Sequence, residues 1–153
     1  METLSICMVS GDFFPAQIGG QGIYAHKICE YLSNLGHEVH ALVPPNPERR
    51  AYYKEHRHFN VVFAQGLAGE ATVSFSLQAY RNFKKKLANY HFDILHGNEL
   101  FSLFFLLWKP RNVNKTISIS HNSYLERFYA STGPKKIVYP LLIYLEKLAY
   151  SKA

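Results

Sequence analysis

The chain has 153 residues, 48% of them hydrophobic and 18% charged, which fits one folded domain with a sizeable core and excludes a disordered chain. A formal charge of +6 favours anionic partners: phosphorylated substrates, anionic lipid surfaces or nucleic acid. Cys7 and Cys29 have no metal-ligand spacing around them and read as buried free thiols in a reducing compartment.

Residues 4–10 are a short apolar run closed by Gly11-Asp12 and predict a buried strand. The opening METLSICMVSGDFF carries an early acid and no long apolar core, so it does not read as a signal peptide. From 21 to 35, Tyr24, Ile28, Tyr31, Leu32 and Leu35 recur at steps of three and four, one face of a helix, with Gly36 at its C-terminal cap. A second strand spans 38–43 and stops at Pro44-Pro45. A short polar helix is expected within 47–58, a weak strand at 61–64, and loop at 65–72. Helical spacing returns at 76–90, followed by a short strand at 93–96. Residues 99–108 are apolar on every face and predict a buried helix. A fifth strand at 116–120 precedes a last helix at 135–153, with Pro140 in its first turns. No apolar run approaches the roughly 18 residues of a membrane span.

Alternating strands and helices predict an α/β fold, a Rossmann-like parallel sheet with helices on both faces and strand order 3-2-1-4-5. Ligands of such sheets bind beyond the carboxyl ends of the strands. Three glycines, Gly19, Gly20 and Gly22, fall at one of those ends and open a helix. A Walker A loop would need Lys followed by Ser or Thr, and Ile23-Tyr24 stand there instead. A dinucleotide fingerprint can be written onto residues 20–25. However, residues 11–18 separate it from the strand, and the second strand ends without the acid that would hold a ribose. Two readings stay open: a plain turn, or a wide loop whose amides and helix dipole favour a phosphate. On the second reading Gly19 or Gly20 is expected to have a backbone geometry that a side chain would strain or block, in a loop open to solvent.

Other candidates are weaker. His91, His96 and Glu99 match no zinc spacing, so no metal is expected. Glu99 and Glu126 are acids without an evident carboxylate partner. Lys135-Lys136 before IVYPLLIYLEKL reads as a core helix with its first turn in water, the alternative being a helix lying on a membrane surface.

The stretch ICMVSGDFFPAQIGGQGIYAHKICEYLSNLGHEVHALVP resembles the opening of glycosyltransferase family 4 proteins: a strand, an aromatic-proline element, a G-G-x-G loop, a helix, then G-H-E-V. FDILHGNE and TISISHNS are similar to that family's D-V-V-H-x-H and T-x-H-D/N elements, and LEKLAYSKA to a later helix of its amino-terminal domain. The four pieces are collinear over nearly the whole chain. The resemblance implies a GT-B fold and transfer of a sugar from a nucleotide-sugar, with retention and with no required metal or cofactor. It implies that Gly19, Gly20 and Gly22 lie near the donor phosphates and that His121 faces the reaction centre, where a neutral imidazole can donate to a sugar hydroxyl. Asp12, Asn98, Glu99 and Asn122 would line the cleft or acceptor side, although Asn98 replaces the second histidine of its element. Residues 1–153 would be an amino-terminal domain, incomplete at its carboxyl end and lacking the donor-binding domain. The chain alone is then expected to be inactive. Its partners would be the nucleotide-sugar, a glycan or lipid acceptor and a separate donor-binding domain, not nucleic acid. Its place would be the cytoplasm, at the inner membrane face if the acceptor is a lipid. The rivals are a non-catalytic binding module and, disfavoured by the missing acid, a dinucleotide-binding domain.

Overall fold

The structure, a computed structural model, describes residues 2–16, 19–64, 72–121 and 123–151. Five strands, β1 (Ser5–Val9), β2 (Glu38–Val43), β3 (Asn60–Phe63), β4 (Phe92–Asn98) and β5 (Val113–Ile119), form one sheet in the order β3-β2-β1-β4-β5. Every pairing is parallel. The centre of the sheet runs through Met8, which is level with Ala41 on one side and His96 on the other.

β1 is apolar at consecutive positions because both its faces are covered. Met8 joins Ala25, Cys29, Val39, Ala41, Val43 and Phe59 on the face packed by α1 (Gly20–Asn34) and α2 (Pro47–Glu55). Cys7 and Val9 point the other way, into Phe75, Ala79 and Phe83 of α3 (Thr72–Lys86) and Phe105 of α4 (Leu103–Leu107). A third cluster, Leu100, Leu103, Leu106, Tyr124 and Ala149, joins α4 to α5 (Tyr124–Ala130) and α6 (Tyr139–Tyr150). Phe75 and Phe83 are each 1% exposed, and truncating either to alanine would cost about 3–5 kcal/mol.

Local signals set the element ends. α1 closes as the sequence indicates: Gly36 has φ +88°, its N–H donates to Ser33 O, and His37 N–H donates to Leu32 O. Asn46 caps α2 by accepting from the Glu48 and Arg49 amides, with Pro47 at the first helical position.

Several elements differ from expectation, among them β5, which starts at Val113 and not at 116. α3 starts at Thr72 and stops at Lys86, before the predicted 90, because Asn112 Nδ2 donates to the Leu87 and Tyr90 carbonyls and fixes a turn there. Residues 65–71, read as loop, lie outside the described residues. The 99–108 segment is a 3-10 turn, Glu99–Ser102, followed by the short α4. This turn packs hard on the strand ends: a Cβ on Gly97 would lie 2.0 Å from Ser102 Cβ, and one on Gly11 would lie 2.2 Å from the Phe101 ring. α5 was not expected at all, although Ser123 and Glu126 have capping-box spacing, and Ser123 Oγ accepts from the Glu126 amide. The last helix begins at Tyr139, after a 3-10 turn over Pro134–Ile137. No helix among the described residues is long and apolar enough to cross a membrane.

Candidate functional site

The carboxyl end of β1 runs into Ser10, Gly11 and Asp12 and then toward the glycine loop. Asp12 Oδ2 accepts from the amides of Gly19 (3.1 Å) and Gly22 (3.2 Å), at the amino end of α1. The carboxylate thus satisfies donors that a helix start leaves orphaned, and it complements the helix dipole. Behind it lies Arg49, 3% exposed, whose guanidinium donates to the carbonyls of Phe13 (3.2 Å), Ala16 (3.1 Å) and Pro44 (2.6 Å). Burial pulls Arg49 below its ordinary pKa, and the charge of Asp12 opposes that fall. Arg49 was not singled out in the sequence, because one arginine in a polar helix looks like solvated surface.

The glycine geometry departs from expectation. Gly19 has φ −157°, in the extended region, and a Cβ on Gly19 or Gly20 would meet nothing within 4 Å. Both are exposed, as anticipated, but neither has a conformation that a side chain would strain. The loop takes its shape from Asp12 and Arg49. A ligand anion could reach the Gly19 and Gly22 amides only by displacing Asp12. The Gly20 and Gln21 amides, between them, do not bond that carboxylate.

One turn into α1, Tyr24 reaches across to the ends of β4 and β5. Its ring meets His121 edge-on at 4.8 Å and His96 at 6.2 Å. His121 is exposed just beyond β5. His96 is half-buried in β4, and its Nε2 has no hydrogen-bond partner among the described residues. Burial, and then the charge of His121, lower the His96 pKa and favour its neutral form. Burial raises the Tyr24 phenol. The result is a phenol ring in edge contact with two imidazoles at the carboxyl ends of β4 and β5, side chains of the kind that hydrogen-bond hydroxyl groups. Among these, His121 alone was a candidate from sequence. Tyr24 looked like part of a helix face, and His96 entered as a poor metal ligand and as the first histidine of the FDILHGNE element.

The remaining candidates sit deeper. Asn98 is fully buried, with Nδ2 donating to Ser10 Oγ at 3.2 Å, and so ties the end of β4 to the end of β1. Glu99, at φ +48° and 3% exposed, accepts from Arg127 at 2.9 Å. Burial raises its pKa, Arg127 opposes this and Glu146 adds to it. Glu146, 7% exposed, accepts from the Tyr124 amide at 3.1 Å, so this pair of acids holds α5 and α6 against the strand ends. Glu126 is exposed on α5, and Asn122 lies outside the described residues. Among the described residues, no three of His, Cys, Asp and Glu are grouped to hold a metal ion.

A parallel sheet in the order 3-2-1-4-5, with its candidate groups at the strands' carboxyl ends, defines a Rossmann-like domain. The family model for Glycosyltransferase Family 4 matches residues 18–153, and the chain belongs to that family. Among solved structures it is similar to CalG4, the calicheamicin glycosyltransferase, with a TM-score of 0.56 at 11% identity. That match covers 100% of this chain and 45% of the other, so the chain spans less than half the length of that structure. No curated protein matches it significantly.

Proposed function

We propose that the chain forms the acceptor-side part of a retaining glycosyltransferase that moves a sugar from a nucleotide-sugar to a glycan or lipid acceptor. The observation that carries this reading is the convergence of the glycine loop, Tyr24, His96 and His121. They meet where β1 and β4 run side by side and the chain order reverses, the ligand crevice of such sheets.

In this reading the Gly20 and Gln21 amides and the α1 dipole face the donor phosphates, while Asp12 keeps the loop in shape. His121 donates to a hydroxyl of the transferred sugar or to charge developing in the transition state, and the Tyr24 ring steadies it edge-on. His96, held neutral, adds a hydrogen-bonding group without a competing positive charge. A second domain grips the nucleotide, so that leaving group and acceptor are held from opposite sides. The nucleotide-sugar is a co-substrate, and neither cofactor nor metal enters the scheme.

A lipid acceptor would bring the chain from the cytoplasm to the inner membrane face. Ile137 (82% exposed), Leu141 (60%) and Tyr144 (62%), close in sequence to Lys136, support that contact.

The acceptor side is tested by saturation-transfer NMR with short glycans and lipid head groups, comparing the protein with His121→Ala. A bound acceptor whose affinity drops about tenfold in the variant supports the assignment, a loss of about 1.4 kcal/mol. Equal binding by both proteins overturns it.

A further inference from the structure

Away from the glycine loop, beside the first residues of β2 and along the edge strand β3, lies a groove of about 540 Å³. That volume is in the range of small-molecule sites. Val39, Tyr53 and Phe59, each at most 8% exposed, form its apolar and aromatic side. Arg50 and Lys54, one turn apart on one face of α2, line it too, together with Arg57 just past the end of the helix.

The cations are not balanced within the groove. Glu38, the carboxylate among its described lining residues, is bonded to His40 Nε2 at 2.9 Å. His37, also in the lining, accepts from the Leu4 amide through Nδ1 at 3.2 Å, which leaves Nε2–H as its donor. Arg50 is held over the Phe63 ring, 4.6 Å from its centre, so its guanidinium is placed before any ligand arrives. Basic residues at the end of α2 would complement its dipole, which accounts for Lys54. It does not account for Arg50, in the first turn, where the dipole opposes a cation.

We propose that this groove is a second ligand site, for a small soluble molecule carrying a phosphate on an apolar or aromatic body. The phosphate sits between Arg50 and Arg57, within reach of His37 Nε2–H, and the body lies against Tyr53 and Phe59. This site does not depend on the sugar-transfer reading.

The test titrates the 15N-labelled protein with phenyl phosphate, inorganic phosphate, anionic lipid vesicles and a short single-stranded oligonucleotide. Phenyl phosphate should give saturable shifts within residues 50–61 and bind more tightly than inorganic phosphate. An Arg50→Gln/Arg57→Gln double variant should bind at least tenfold more weakly with an unchanged melting temperature, since both side chains are exposed. Shifts confined to residues 19–24 and 121, equal binding by the double variant, or binding of only vesicles or oligonucleotide would each overturn the proposal.

Discussion

The carboxylate of Asp12 holds the Gly22 amide at 3.2 Å across ten positions of sequence, joining the end of β1 to the start of α1. The same oxygen holds the Gly19 amide. Asp12→Ala would take the acceptor from the Gly19 amide and leave the Gly22 amide only its bond to the Gly19 carbonyl, and it is expected to destabilise the protein by about 1–2 kcal/mol. Urea denaturation of the two proteins measures this, and a difference below about 0.5 kcal/mol would show that the loop is shaped by other contacts.

The glycines separate by what a methyl group would meet. Gly20→Ala enters open space without a left-handed backbone and should leave the melting temperature unchanged or slightly raised, by reducing the freedom of the unfolded chain. Gly97→Ala drives a Cβ into Ser102 and is expected to cost about 1–3 kcal/mol or more. If the two variants melted together, the tight seat of the 3-10 turn on β4 would be disproved.

Acid should unfold the protein through its histidines. His96 and His26 both have pKa values lowered chiefly by burial, so below the ordinary value of 6.5 the unfolded chain binds protons that the folded chain refuses. Their stabilising effect is therefore present above that pH and lost as pH falls through it. Melting temperature should drop between pH 7.5 and 5, and His96→Gln should flatten the fall. A variant with an unaltered slope would remove His96 from the account.

The exposed residues around the start of α6 give a test of the membrane contact. Wild-type protein should co-sediment with vesicles rich in anionic lipid, less so at high salt, and Ile137→Glu/Leu141→Glu should abolish it. If wild type stayed in the supernatant, the lipid-surface part of the proposed function would fall.

Most of the fold was legible because its signals are local. Residues of β1 buried on both faces give an uninterrupted apolar run, Gly36 is a cap at the expected place, and right-handed crossovers leave few strand orders. The short α5 escaped because two turns carry too little periodicity, although its Ser123–Glu126 cap was readable. The site was legible only in part. Positions 24, 96 and 121 meet solely through strand order, and no spacing announces them. Asp12 read as a cleft acid, yet its distant partners are the backbone amides that had been assigned to a phosphate. Glu99 read as a cleft acid too, and its ion pair with Arg127 depends on α5.

The central claim is that nucleotide-sugars and their acceptors meet at the carboxyl ends of β1, β4 and β5. It is tested most directly by titrating the 15N-labelled protein with a panel of nucleotide-sugars while following transfer to glycan and lipid acceptors. Weak but saturable shifts at Gly20, Gln21, Tyr24, His96 and His121 are expected, with Asp12→Asn altering the response at Gly20. The proposed function assigns the grip on the donor nucleotide to a second domain, so the 153-residue chain by itself should give no turnover. Transfer well above spontaneous hydrolysis would show a complete active site in this chain, and the absence of shifts at those residues would show that the site has been put in the wrong place.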